Sequence, residues 1–133
     1  MVGAYAESAQ TVLLVWAVVT ALVFAVPMIV RPVSWARMMR FTIPPDTDLA
    51  VYFGRCLGAL ALVVDGMAFR AALTGEALRF VFELSTVFAV LMVLVHAYGG
   101  VKRIQPMTET VETALWAAVV VLLLVCFPVA SAT

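Results

Sequence analysis

Four continuous apolar runs, each about the 20 residues that a membrane helix needs, occupy most of this 133-residue chain. They cover positions 11–30, 49–69, 80–98 and 111–130. At 1.5 Å of rise per helical residue, each run reaches across the roughly 30 Å hydrocarbon layer of a bilayer. Little chain is left over for a soluble domain. Stretches such as LLVWAVVTALVFAV and WAAVVVLLLVCFPVA do not alternate, as the strands of a membrane barrel would. The expected fold is therefore all-α. It is a bundle of four transmembrane helices forming one domain over 1–133, with a short interfacial segment in the first loop.

Composition agrees. Apolar residues make up 65% of the chain and charged residues 12%, with a mean hydropathy of +1.13, whereas soluble domains carry about 25% charge. The formal net charge is zero, which removes the general electrostatic case for nucleic acid. The first span lacks a basic leader and a small-residue cleavage site, and Arg31, Arg37 and Arg40 follow it. It reads as a retained anchor rather than a signal peptide. Cys56 and Cys126 fall near opposite ends of their spans, so they read as separate thiols in apolar surroundings and not as a disulfide.

The loops alternate in charge. Arg31, Arg37 and Arg40 precede the second span, and Lys102 and Arg103 precede the fourth; the intervening turn holds only Arg70 and Arg79. The positive-inside rule places the first and third loops in the cytoplasm and both termini outside, in a cytoplasmic (inner) membrane. Asp46, Thr47 or Asp48 is expected to cap the second helix after Pro44-Pro45. Thr74-Gly75-Glu76 is expected to make a tight hairpin, and Thr108, with Glu109 and Glu112 behind it, to start the fourth helix. The segment 31–43 suits a short helix on the cytoplasmic surface, with Trp35 at headgroup depth and Arg37 and Arg40 turned elsewhere. Pro27 and Pro128 lie near span ends, where a kink costs little. Trp16 and Trp116 read as packing or lipid-facing aromatics, and spans one and four as the lipid-facing or partner-facing walls.

Span two is the unusual one, because Arg55 and Asp65 interrupt it. Each would cost about 3 kcal/mol at the bilayer centre, and snorkelling toward the surface lowers that cost without removing it. Gly54, Gly58, Ala61 and Asp65 share one helical stripe, and small residues at that spacing let a neighbouring backbone approach. In span three, Glu83 lies beside the hairpin with Asp65, Arg70 and Arg79. These four are expected to form an ion-pair network that doubles as a proton or cation site if the two carboxylates are close. His96 is expected near Arg55, Tyr52 and Tyr98 in an inner polar cluster that offers a hydrogen-bonded histidine, a proton relay or a quinone contact. No metal site can be named. There is no C-x-x-C, H-E-x-x-H, glycine-rich phosphate loop or nucleophile elbow, so no catalytic residue can be named either.

The proline-bounded basic loop from Pro32 to Arg40, the Pro44-Pro45-Asp46 turn, Tyr52-x-x-Arg55-x-x-Gly58 and the helix ending Asp65-Gly66 together form a pattern. It resembles the DoxX-like group of small four-helix bacterial membrane proteins, several branches of which have no assigned function. Some members of that group are linked to quinone-dependent oxidation as subunits beside a catalytic partner; of its residues the resemblance carries over only Arg55 and Gly58, in packing. The absence of catalytic motifs, the short loops and the small-residue stripe make the leading functional expectation a non-catalytic accessory subunit that stabilises or anchors a larger membrane complex, for instance of respiratory or redox kind. The alternatives are a homo-oligomeric transporter or channel using Asp65 and Glu83, and a quinone-reactive protein using His96 and Arg55. Expected partners are membrane lipid and either other membrane subunits or further copies of this chain. No cofactor is expected beyond a quinone or a lipid.

Overall fold

The computed structural model describes residues 2–129. It is built from five helices: α1 (Ala6–Val30), α2 (Pro32–Met38), α3 (Asp48–Thr74), α4 (Leu78–Lys102) and α5 (Met107–Val125). All but α2 are long and apolar enough to cross a membrane. The helices outrun the apolar stretches that announce them, since α3 continues through Arg70 to Thr74 and α4 runs on to Lys102. Helical hydrogen bonding propagates through polar residues once a nucleus exists, whereas hydropathy marks only the apolar part. The fourth run behaves differently, for α5 stops at Val125. The backbone N–H groups of Gly3 and Tyr5 bond the carbonyls of Leu124 and Val125, each at 3.0 Å, supplying partners that the end of a helix lacks. Ala130, the last residue of the expected span, lies outside the described residues, and Pro128 follows the helix rather than kinking it.

The long helices associate as two close pairs, α1 along α3 and α4 along α5. Helices α3 and α4 share much less surface, although a tight turn joins them. Gly75 makes that turn. It takes the left-handed conformation at φ 74°, which costs glycine nothing, while the Thr74 hydroxyl accepts the Glu76 N–H at 3.1 Å. The core that unites the pairs gathers at this end of the bundle. Small residues, namely Ala9 and Ala17 of α1, Ala68, Ala71 and Ala72 of α3 and Ala89 of α4, let the helices approach. Leu13, Val81, Phe82 and Leu123 fill the space between them.

The small stripe of α3 faces α1. A methyl group on Gly58 would lie 2.8 Å from the Ala25 carbonyl, and one on Gly54 would lie 2.7 Å from Pro32 Cβ. The contact left open by the sequence is therefore internal. Across it, α1 is not uniform: residues Ala21–Ala25 form a π-helical turn just before Pro27. Proline has no N–H for the carbonyl four residues back, that of Val23, and the indole N–H of Trp35 donates to that oxygen at 3.0 Å. The Trp35 ring also meets Phe24 edge-on, 5.2 Å between centroids. So α2 is fastened to α1 by Trp35, which lies half-buried against it. Of the expected caps, Asp46 accepts the Asp48 N–H at 3.1 Å. Thr108 does not cap α5; its hydroxyl donates to the Met39 carbonyl at 2.6 Å and ties α5 to the end of α2.

Candidate functional site

The most concentrated polar chemistry lies at the end of the bundle that carries the α4–α5 loop. Helix α4 ends at Lys102, Arg103 turns the chain with φ 55°, and Pro106 precedes α5. So short a connection lays the last turns of α4 against the first turns of α5. His96 then faces Glu109 and Glu112, which are three apart and so share a face of α5. The imidazole Nε2 lies 3.2 Å from Glu109 Oε2 and 3.6 Å from Glu112 Oε2. His96 is 4% exposed, and the side chains of Glu109 and Glu112 are 12% and 27% exposed.

The ring is oriented from its other side. Nδ1 is 2.8 Å from the Met92 carbonyl; a carbonyl can only accept, so Nδ1 carries a proton and Nε2 is the atom presented to the carboxylates. Gln105 braces the strand of chain around it, its amide donating to the His96 carbonyl at 2.9 Å and to the Thr110 hydroxyl at 3.2 Å. Gly99 leaves the room this requires, since a methyl group there would overlap the Gln105 side chain. Deeper in the bundle, Trp116 stands 6.2 Å from the His96 ring and packs edge-on against Phe88 at 5.5 Å and Trp16 at 5.7 Å. The two tryptophans are thus packing residues, and Trp116 is the one that reaches the triad.

His96 was expected among Arg55, Tyr52 and Tyr98; the structure gives it other company. Tyr52 and Tyr98 are exposed, Tyr52 lying beside Phe53 at 5.6 Å and Tyr98 under the Lys102 ammonium at 5.9 Å. Arg55 is exposed on α3. Because α3 pairs with α1 and not with α4, residues at one depth on spans two and three are not brought together. Of the residues in the resembling stretch, Gly58 packs internally and Arg55 does not.

The expected four-membered ion network also divides. Arg79 bridges Glu83 at 2.9 Å along α4, and Arg70 bridges Glu76 at 2.6 Å across the turn. Asp65 joins neither pair. It is 5% exposed, turned toward α1, with Oδ1 accepting from the Thr20 hydroxyl at 2.5 Å and Oδ2 without a hydrogen-bond partner. Asp65 and Glu83 therefore do not form a carboxylate pair. Ala61 is half-buried on the packing stripe, and Arg37 and Arg40 are exposed at and just beyond the end of α2.

Glu109 and Glu112 are the residues that sequence reasoning missed as a site, because acidic residues in a first helical turn are satisfied by the helix dipole alone. The available signal was their i, i+3 spacing just after a short loop that returns the chain toward His96. Comparison with known proteins finds no matching family model, no matching curated protein and no matching solved structure.

Proposed function

We propose that the chain is an integral membrane protein with both termini outside the cytoplasmic membrane, acting as a non-catalytic subunit that packs into and anchors a larger membrane assembly. One observation carries this reading. Arg55 stands on the outward face of α3, about 9 Å into an apolar span at 1.5 Å per residue, exposed and in no ion pair among the described residues. Snorkelling lowers the cost of a guanidinium facing lipid there without removing it, and membrane proteins turn ionisable groups toward protein. Ala59 and Gly66 follow Arg55 on the same face, both exposed, and a methyl group on Gly66 would meet nothing within 4 Å. A second helix could therefore approach closely there and cover the charge with a carboxylate or a free carbonyl. The respiratory or redox character of the assembly is inferred from the DoxX-like resemblance.

Mild-detergent extraction of a tagged chain from its native membranes, followed by native mass spectrometry, tests this. Larger proteins should co-purify in fixed stoichiometry, and Arg55→Gln should release them while leaving the chain folded. A monodisperse lone chain would end the subunit reading. A clean homo-oligomer would favour transport instead, a reading supported by the buried, half-partnered Asp65.

A further inference from the structure

We propose that His96, Glu109 and Glu112 bind one divalent first-row transition-metal ion, a site independent of the subunit reading. Three features of the geometry converge on it. The Met92 carbonyl fixes the histidine tautomer so that Nε2 is the free face, the arrangement by which a second partner orients a metal-binding imidazole. Nε2 lies 3.2 and 3.6 Å from the two carboxylates, and one donor atom from each residue falls within 4.8 Å of the others. Donors held about 2.0–2.2 Å from a single metal ion stand about 3.0–3.5 Å apart, so small movements would close the three around one ion.

Charge points the same way. A neutral imidazole with two carboxylates carries two negative charges, and no lysine or arginine pairs with either carboxylate among the described residues. A proton on Nε2 would neutralise only one of them, whereas a divalent ion neutralises both. A lone pair on Nε2 facing two anionic oxygens is repulsive unless something positive lies between. Glu109 Oε1 is also buried without a hydrogen-bond partner, which leaves a second oxygen available to the same ion. On the other side Glu112 is partly exposed, giving an ion a route in and a position for water. The donors are nitrogen and oxygen only, since Cys126 is buried in the core cluster at the opposite end and Cys56 is exposed on α3. That set suits zinc, cobalt or manganese over copper(I).

The test uses the full chain in nanodiscs of zwitterionic lipid, stripped with a chelator and titrated with Co²⁺, whose visible absorption changes when protein ligands replace water and lower its coordination number, with bound Zn²⁺ counted separately by elemental analysis. One ion should bind per chain. Glu109→Gln and Glu112→Gln should each weaken binding by at least about 100-fold, since loss of a residue that merely supports a ligand already costs about 10–100-fold, and Glu83→Gln should leave it unchanged. Glu112 is the more exposed carboxylate, so its variant remains informative if Glu109→Gln fails to fold. No saturable uptake by the wild-type chain would overturn the site and leave a histidine–carboxylate ion pair. Uptake that persists in both glutamine variants would place the ion elsewhere and overturn it equally.

Discussion

Asp65 and Thr20 show how one buried charge is handled when its partner lies on another helix. The threonine hydroxyl has a single proton and two acceptors within reach, Asp65 Oδ1 at 2.5 Å and the Trp16 carbonyl at 2.8 Å. The carbonyl already accepts the Thr20 N–H within the helix, so the hydroxyl can serve the carboxylate, yet Asp65 Oδ2 stays without a donor. Asp65→Asn brings an amide N–H to the same place, so the variant should be as stable as the wild type or more so. Thr20→Val removes the only donor to Asp65 among the described residues and strands a buried carboxylate, at about 1–3 kcal/mol. Thermal unfolding in detergent measures both, and equal loss in the two variants would show that the contact is not what holds Asp65. From the sequence Asp65 was legible as a residue that must face protein. Its partner was not, because nothing in α1 marks Thr20 apart from other hydroxyls in apolar surroundings.

At the scale of elements, the join between α1 and α2 rests on a vacancy in one helix filled by a side chain of the next. Pro27 leaves the Val23 carbonyl without its usual donor, and Trp35 supplies one. Trp35→Phe keeps an aromatic edge against Phe24 but loses that hydrogen bond, which should lower stability by about 1 kcal/mol. In a Pro27→Ala background the backbone can satisfy Val23 itself, so the same change should cost less. A double-mutant cycle in thermal unfolding reads the difference, and an additive result would sever the two residues. The α1–α3 seam is tighter still. Gly58→Val would push side-chain atoms into the Ala25 carbonyl, and overpacking of this kind costs about 1–3 kcal/mol. The Gly54–Asp65 stripe was readable from spacing alone; the orientation of Trp35 was not, since an indole suits a surface headgroup as well as an orphaned carbonyl.

At the scale of the whole molecule the chain divides into an N-terminal pair and a C-terminal pair that meet in one core near Gly75. Each half therefore holds its own long helix–helix contact. Two fragments split at Gly75 and expressed together should reassociate and co-purify, with Leu13, Phe82 and Leu123 drawn from both halves. Leu13→Ala should weaken that recovery, because each buried leucine truncated in this way costs about 2–5 kcal/mol. Recovery of only one fragment by affinity tag would mean that the turn, and not the core, holds the halves together.

Hydropathy and loop chemistry determine much of this protein without further help. The number of long helices, the short helix between the first two and the turn at Thr74-Gly75 follow from residues close together in the chain. So does the face of α3 that must be buried, because a helical stripe is a local property. Which helix covers that face is decided only when the chain packs. Arg55 and His96 are expected at similar depth from their places in the sequence, yet α3 turns to α1 and α4 turns to α5. His96 consequently meets Glu109 and Glu112 across a short loop, and Asp65 meets Thr20 across the bundle. Apolar helices of this kind can present almost any face to one another without violating their patterning. The choice among pairings falls to small-residue fit and buried polar partners, which are properties of two helices together.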